Sequence, residues 1–268
     1  MDNRPIGFFD SGLGGLTCIP FLHEKLPNEK IVYYGDTART PYGSKSIENI
    51  KQFSTQIVEY LVSHDVKLIV IACNTVSATS IDLLKEKFPE VPIIGIIEPM
   101  AKKIADIGKN TDKFGVIGTK VTINSGVYEQ KVKKYNENIS INSLACPALV
   151  PLIEEGITNN EIMDLTIKYY IDDFKKKKCI NKLVLGCTHY PIIQKNIERL
   201  YPDMELLNPS EEVINSVSNI LEEKGMLAES NDRRNLCYAS DLSENFLNMI
   251  NLFFDKESVD TDIMKFYD

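Results

Sequence analysis

Two apolar segments, each followed by a small residue and a cysteine, most constrain how this chain can fold. Residues 68–75 read LIVIACNT, and residues 183–191 read LVLGCTHYP. Runs that are apolar at every position are typical of strands covered on both faces, as in parallel sheets flanked by helices. Cys73 and Cys187 then lie where the two strands end. Two cysteines in matching settings call for one joint explanation.

Short strand-like runs alternate with helical patterns along the chain, which predicts βαβ units and an α/β fold with a parallel sheet. The predicted strands are Ile6–Phe9, Ile31–Tyr34, Leu68–Ile71, Ile93–Ile97, Phe114–Ile117, Ile139–Leu144, Leu183–Leu185, Glu205–Leu207 and Leu236–Tyr238. The predicted helices are Ser46–Val62, Ser77–Phe88, Pro99–Ile107, Ser125–Tyr135, Asn160–Lys176, Ile192–Leu200, Glu211–Lys224 and Ser243–Phe254.

The two halves of the chain resemble each other. Cys73 and Cys187 are 187 − 73 = 114 positions apart, and IGFFDS (6–11) resembles FGVIGT (114–119) at an offset of 108. Each half therefore has an opening strand that ends in a hydroxyl residue and a later strand that ends in a cysteine. Two similar lobes that face each other would form a cleft between the carboxyl ends of their strands, where open α/β sheets bind ligands.

Composition and charge narrow the class of protein. The chain has 268 residues, 43% of them hydrophobic, which is enough for one large or two smaller domains, and a net charge of −8 argues against nucleic acid as a partner. No signal-peptide pattern or long apolar run occurs, which predicts a cytoplasmic protein without a membrane span. In a reducing compartment six cysteines do not imply disulfides. We expect four of them to be buried small apolar residues: Cys18, Cys146, Cys179 and Cys237.

The residues around the other two cysteines suggest chemistry. Cys73 and Cys187 each precede a predicted helix, and the positive end of a helix dipole favours the thiolate form of a cysteine. The polar pairs 74–75 and 188–189 follow the cysteines and suit the binding of a carboxylate. His189 lies two residues after Cys187, where it favours proton transfer, although a packed or helix-capping histidine would also fit the sequence.

A glycine-rich segment, FFDSGLGGLT (8–17), follows the first predicted strand. It contains GxGG rather than GxGxxG, so it is a weak match to a dinucleotide site. We interpret its glycines as allowing the backbone to approach a small anion, with Ser11 as a donor. Asp10 is an unusual carboxylate at the end of an apolar strand, and a helix N-cap is the plain alternative.

Five motifs, in order and spacing, resemble the glutamate racemases of the aspartate/glutamate racemase family: GFFDSGLGGLT, DTARTPYGSKS, ACNTVSAT, CPALVPLIEEG and LGCTHYP. The resemblance covers nearly the whole chain. It implies cofactor-independent interconversion of L- and D-glutamate, with D-glutamate serving peptidoglycan synthesis. It also implies two pseudo-symmetric α/β domains, residues 1–97 plus 208–268 and residues 98–207, with the active site in the cleft between them. The family commonly forms homodimers.

The resemblance also implies roles for individual residues. Cys73 and Cys187 resemble the two catalytic bases, Asp10 resembles the residue that assists Cys73, and His189 and Glu154 resemble those that assist Cys187. Glu154 is preferred to Glu155 because it is the first glutamate after VPLI. The implied substrate contacts are Asp10, Ser11, Tyr42, Gly43, Asn74, Thr75, Thr119, Thr122, Thr188 and His189. No metal and no cofactor are implied.

Four alternatives remain open at this point. The family's aspartate-specific members usually carry glutamate where this chain has His189, so aspartate is the less favoured substrate. A cysteine hydrolase or transferase would use Cys187 and His189 but leave Cys73 idle. A two-lobed binding protein would need neither thiol. A zinc site of Cys73, Cys187 and His189 is the last alternative.

Overall fold

Parallel strands form two separate sheets in the computed structural model, which describes residues 1–109, 111–230, 232–254 and 258–266. The strands are β1 (Ile6–Asp10), β2 (Ile31–Gly35), β3 (Leu68–Ile71), β4 (Ile93–Gly95), β5 (Phe114–Gly118), β6 (Ile141–Ala145), β7 (Lys182–Gly186), β8 (Glu205–Leu207), β9 (Asn235–Ala239) and β10 (Val259–Ile263). Every strand pair within the described residues is parallel.

Helices connect these strands and cover both faces of the sheets. The α-helices are α1 (Ile19–Lys25), α2 (Ile47–Ser63), α3 (Asn74–Thr79), α4 (Ile81–Lys87), α5 (Ile97–Ile107), α6 (Lys120–Asn124), α7 (Val127–Tyr135), α8 (Leu149–Glu154), α9 (Glu161–Lys178), α10 (Gln194–Leu200), α11 (Pro209–Glu223) and α12 (Glu244–Phe253). Short 3-10 turns occur at Gly14–Cys18, Thr37–Arg39, Tyr42–Ser44 and Tyr190–Ile193.

The order of the strands shows that the two sheets are built on the same plan. The larger sheet has the order β10-β9-β2-β1-β3-β4 and the smaller one β6-β5-β7-β8. The segment β2-β1-β3-β4 therefore corresponds to β6-β5-β7-β8, and the predicted α/β fold class is confirmed. Cys73 follows β3 and Cys187 follows β7, which are equivalent strands. The exact division of the chain at 97/98 and 207/208 stays a prediction.

The core explains why the sheets face each other in a fixed arrangement. Strands β1, β2, β3 and β5 are buried at every position, as their apolar sequences require. One hydrophobic cluster includes Phe8 of the first sheet and both Phe114 and Val116 of the second. Helix α5 packs against α7 and α11 between the two sheets. This shared core holds the carboxyl ends of both sheets at one junction.

Some predicted element boundaries were wrong. The predicted strand Ile93–Ile97 ends at Gly95, and helix α5 begins at Ile97. The predicted helix from Ser77 to Phe88 is two helices, α3 and α4, with a break at Ser80, whose φ is −128° and ψ −8°. Strand β10 was not predicted, because its sequence VDTDI is mostly polar, as an exposed edge strand allows.

The cysteines that we expected to be buried do not all behave alike. Cys18, Cys146 and Cys237 are buried free thiols, which confirms the prediction for those three. The prediction was wrong for Cys179, which is exposed. Cys179 ends α9 in the left-handed conformation, with φ 53°, directly after the run of four lysines, so the chain turns there at the surface.

None of the helices in the described residues is long and apolar enough to span a bilayer.

Candidate active site

A small pocket lies where the carboxyl ends of the two sheets meet. Its cavity volume is about 10 Å³, so the pocket is nearly closed. Both sheets contribute to its wall, and the thiols of Cys73 and Cys187 are part of it. The lining residues are Ser11, Thr40, Pro41, Tyr42, Gly43, Cys73, Asn74, Thr75, Thr119, Val150, Cys187, Thr188 and His189. The fold therefore brings residues from all five sequence motifs to one cavity.

Cys73 occupies a site that keeps its thiol neutral. It is the N-cap residue of α3, and its Sγ donates to Ser11 Oγ at 3.3 Å. Burial and, to a smaller extent, the nearby Asp10 carboxylate together raise the pKa of Cys73 to about 12. The sequence had suggested that the helix would favour a thiolate. The raised pKa of Cys73 is opposite to that expectation, and burial is its main cause.

Cys187 belongs to a chain of three side chains. Its Sγ lies 3.8 Å from Nδ1 of His189, and Nε2 of His189 lies 2.5 Å from Oε1 of Glu154. Burial alone would lower the pKa of His189, but its hydrogen bonds to Cys187 and Glu154 raise the pKa well above the usual range. Glu155, the next residue, is exposed to solvent. Glu154 is therefore the glutamate of this pair that contacts His189. The imidazole of His189 therefore lies between the Cys187 thiol and the Glu154 carboxylate.

Asp10 lies behind the pocket wall and is completely buried. Its carboxylate accepts hydrogen bonds from the hydroxyl of Thr188 at 3.0 Å and from the backbone N–H of Gly12 at 3.0 Å. Burial raises the pKa of Asp10, and the charge of His189 opposes this shift. The Asp10 carboxylate is therefore hydrogen-bonded to the turn that carries Cys187. Its effect on Cys73 is that of a nearby negative charge.

Three threonine hydroxyls join the two halves beside the pocket. Thr75 Oγ1 lies 3.0 Å from Thr119 Oγ1 and 3.3 Å from Thr122 Oγ1, and the latter two are 3.1 Å apart. Thr119 is also the N-cap of α6, where its side chain accepts from the N–H of Thr122. Thr75 and Thr119 line the pocket, and Thr122 stands behind them.

Glycines at the junction allow the halves to approach. A Cβ on Gly14 would lie 2.5 Å from Thr188 Oγ1 and 2.6 Å from His189 Nδ1. A Cβ on Gly43 would lie 2.3 Å from Thr119 Cβ. We had interpreted the glycine-rich turn as a cradle for a small anion. The structure shows that Gly14 passes close beside the Thr188–His189 turn of the other half, and the role of this segment toward an anion stays a prediction.

The loop that carries Tyr42 and Gly43 is held by a buried carboxylate. Asp36 accepts hydrogen bonds from the hydroxyls of Tyr42 and Ser240 and from Nε of Arg39. Tyr42 lines the pocket, but its hydroxyl is hydrogen-bonded to Asp36.

Sequence reasoning missed some residues of the pocket. Thr40, Pro41 and Val150 line it, and Thr40 Oγ1 is buried with no hydrogen-bond partner within the described residues. Thr40 and Pro41 lie in the motif DTARTPYGSKS, so the motif itself was the available signal. In the part of the chain that the structure describes, no group of three or more His, Cys, Asp or Glu side chains is arranged to hold a metal ion.

Comparison with known proteins agrees with this geometry. A model of the Asp/Glu/Hydantoin racemase family matches residues 18–218. The glutamate racemase of Geobacter metallireducens is 39% identical over 252 residues, which are 93% of this chain and 92% of that protein. The glutamate racemase of Chlorobaculum tepidum is 38% identical and covers 98% of this chain and 96% of that protein.

A solved structure extends the likeness to the fold. The crystal structure of the glutamate racemase from Francisella tularensis in complex with D-glutamate has a TM-score of 0.89 and 36% identity, and the match covers 100% of this chain and 98% of that one. Two matching α/β halves with a thiol at the end of equivalent strands define a class of racemases. This chain belongs to the Asp/Glu/hydantoin racemase family.

Proposed function

We propose that this protein interconverts L- and D-glutamate without a cofactor, by moving the α-proton between two cysteines. One observation carries the proposal: Cys73 and Cys187 line the same small pocket from the ends of equivalent strands in the two sheets. A racemase must remove a proton from one face of a carbon and return one to the other face. Two thiols on opposite walls do both without turning the substrate.

The neighbours of the two thiols suit one direction of the reaction. Cys187 beside the cationic His189 acts as the base that removes the α-proton of L-glutamate. Cys73, a neutral thiol whose pKa burial raises to about 12, delivers a proton to the opposite face. The reverse reaction exchanges these roles, and we assign Asp10 as the residue that assists Cys73. Glu154 holds the imidazole of His189 in position throughout.

The rest of the pocket supplies donors for the substrate carboxylate. The candidates are the amide of Asn74 and the hydroxyls of Ser11, Thr75 and Thr119, together with backbone groups at Gly43. Removing the α-proton places negative charge next to this carboxylate. Donors that are fixed before the reaction stabilise that charge, because they need no reorganisation. Thr188 and His189 close the pocket on the side of Cys187.

The chain Cys187–His189–Glu154 also supports a second candidate, a cysteine hydrolase or transferase. In such an enzyme the imidazole activates the thiol and the carboxylate orients the imidazole. This candidate gives Cys73 no task, although Cys73 faces the same pocket. Loss of activity in Cys73→Ala would therefore favour the racemase.

The proposed function is tested by incubating unlabelled L-glutamate with the protein in deuterium oxide, without added cofactor. Circular dichroism should show racemisation. At early times NMR should show deuterium at the α-carbon of D-glutamate and little in the remaining L-glutamate, because the delivered proton comes from a thiol that has exchanged with solvent. Deuterium appearing equally in both enantiomers, or in neither, would contradict the two-thiol mechanism.

The cellular setting follows from this proposal. D-glutamate would supply peptidoglycan synthesis. The cytoplasm provides glutamate and the reducing conditions that keep two working thiols free. We also propose that the protein forms a homodimer, that glutamate is its small-molecule partner, and that it acts on no nucleic acid. The domain division proposed above, 1–97 plus 208–268 and 98–207, matches the sheets to which the strands belong.

A further inference from the structure

Tyr128 connects the two cysteine turns, although no motif points to it. Its side chain is 2% exposed and lies on α7 in the second half. Its hydroxyl donates to Oδ1 of Asn74, the residue that follows Cys73, at 2.6 Å. A Cβ on Gly186 would lie 3.4 Å from Cε2 of Tyr128, so the ring passes over the backbone that leads into Cys187.

Only one of the two polar atoms of the Asn74 amide has a hydrogen-bond partner among the described residues. Its oxygen accepts from Tyr128, whereas its Nδ2 is buried without a hydrogen-bond partner among the described residues. Asn74 is 2% exposed and lines the pocket. A buried polar group without a partner is costly, which makes this nitrogen a donor in need of an acceptor. A substrate carboxylate in the pocket would provide one.

The orientation of the Asn74 amide decides whether its hydrogens or its oxygen face the pocket. With the oxygen held by the phenol, the two amide hydrogens are left for the pocket. If the amide were turned over, its oxygen would face an anionic ligand, and its hydrogens would donate to the phenol oxygen instead. In the observed orientation the hydroxyl of Tyr128 holds the amide oxygen, and the amide presents its hydrogens to a carboxylate in the pocket.

We propose that Tyr128 is a positioning residue that fixes the Asn74 amide for the substrate carboxylate and does so only when the two halves are packed together. The inference rests on the proposed glutamate racemisation. Asn74 extends from the sheet that carries Cys73, and Tyr128 belongs to the half that carries Cys187. Binding of the substrate carboxylate beside Cys73 thus depends on the position of the half that carries Cys187.

The test is a set of variants compared by KM, kcat and thermal unfolding. Tyr128→Phe removes the hydroxyl and keeps the ring, so KM for glutamate should rise about tenfold, the effect expected from the loss of one well-oriented hydrogen bond, with a smaller change in kcat. Tyr201→Phe is the matched control, because its hydroxyl donates to Asp172 at 2.6 Å away from the pocket. The control should lose a similar amount of stability and keep its KM.

A double-mutant comparison separates positioning from general packing. Asn74→Ala should raise KM, and adding Tyr128→Phe to it should raise KM no further, because Tyr128 acts through Asn74. A further rise in the double variant would overturn the inference, as would an unchanged KM in Tyr128→Phe. If Tyr128→Phe folds poorly, 4-fluorophenylalanine at position 128 fills the space of the hydroxyl without a donor hydrogen, and the same KM rise is expected.

The outcomes distinguish this inference from the proposed function. If the wild-type protein and Tyr201→Phe fail to racemise glutamate, the proposed function is wrong, and the role of Tyr128 is then judged from calorimetric Kd values for glutamate with the same variants. If they racemise glutamate and Tyr128→Phe has the wild-type KM, only the inference about Tyr128 is wrong.

Discussion

At the scale of single residues, two equivalent cysteines have different neighbours. Cys73 donates to a serine hydroxyl, whereas Cys187 lies beside a histidine that a glutamate holds. Pairs of titratable groups with different environments are the usual basis for separate acid and base roles. The difference is in the neighbours, since both thiols follow strands at the same position in their sheets.

Both cysteines should be required for racemisation. Cys73→Ala and Cys187→Ala should each lower kcat by several orders of magnitude and leave the fold intact, because each removes the only thiol on one wall of the pocket within the described residues. Circular dichroism measures turnover in both directions. Cys179→Ala is the control, since this thiol is exposed and remote from the pocket. Substantial turnover in either pocket variant would remove that thiol from the mechanism.

Asp10 and His189 should affect the two directions of the reaction unequally. If Asp10 serves Cys73 and His189 serves Cys187, then Asp10→Asn and His189→Asn each weaken one base more than the other. The ratio of kcat/KM in the two directions must still equal the equilibrium constant, which is one for enantiomers. The asymmetry should therefore appear in kcat and KM measured separately. Identical parameters in both directions for both variants would contradict the assignment.

The limits of sequence reasoning are clear at this scale. The polar residues that follow apolar strands could be placed in a pocket, because the ends of parallel strands meet at one edge of a sheet. Tyr128 could not, since a tyrosine in an amphipathic helix is indistinguishable from a core residue until the halves are packed. The orienting contact from Asp36 to Tyr42 also depends on tertiary structure.

At the scale of elements, the strands were easier to predict than the helices. Fully apolar runs such as LIVI leave few alternatives to a buried strand, and β3 was predicted with the bounds that it has. The break between α3 and α4 was missed because polar and apolar residues keep a helical spacing across it. The close approach of Gly14 to Thr188 and His189 was not predicted, since those residues come from a segment more than 170 positions away.

The turn at Tyr42–Ser44 should tolerate no side chain at its glycine. Gly43→Ala would place a Cβ 2.3 Å from Thr119 Cβ, so the turn and α6 must move apart. Misplacing groups around a substrate by about 1 Å can lower the rate about a hundredfold, so kcat/KM should fall by at least tenfold. Ser44→Ala, on an exposed residue of the same turn, is the control and should stay near wild type. Wild-type kcat/KM in Gly43→Ala would show that this contact does not shape the site.

At the scale of the whole molecule, the pocket exists only because the two halves meet. The threonine contacts from Thr75 to Thr119 and the hydrogen bond from Thr188 to Asp10 both cross the junction. Any change that loosens the packing of the halves therefore changes the site as well. Global stability and the geometry of the pocket are linked, and conditions that ionise buried groups act on both.

Buried thiols should make the protein less stable as the pH rises above about 9. Burial raises the pKa of Cys18 to about 12 from a reference value of 9.0, so the folded state holds its proton more tightly than the unfolded state. The resulting stabilisation is complete below pH 9 and is lost as the pH rises through the folded pKa, at about 1.4 kcal/mol per pH unit for one thiol.

Urea unfolding of the wild type and of Cys18→Ala tests this at pH 8, 9.5 and 10.5. Cys18→Ala should be less stable at pH 8, because a buried side chain is shortened, at a cost of roughly 1–2 kcal/mol. Its unfolding free energy should then fall less steeply with pH than that of the wild type, since one fewer buried thiol must ionise. At pH 10.5 the two proteins should be close in stability. Equal slopes for both proteins would contradict the assignment of alkaline destabilisation to the buried thiols.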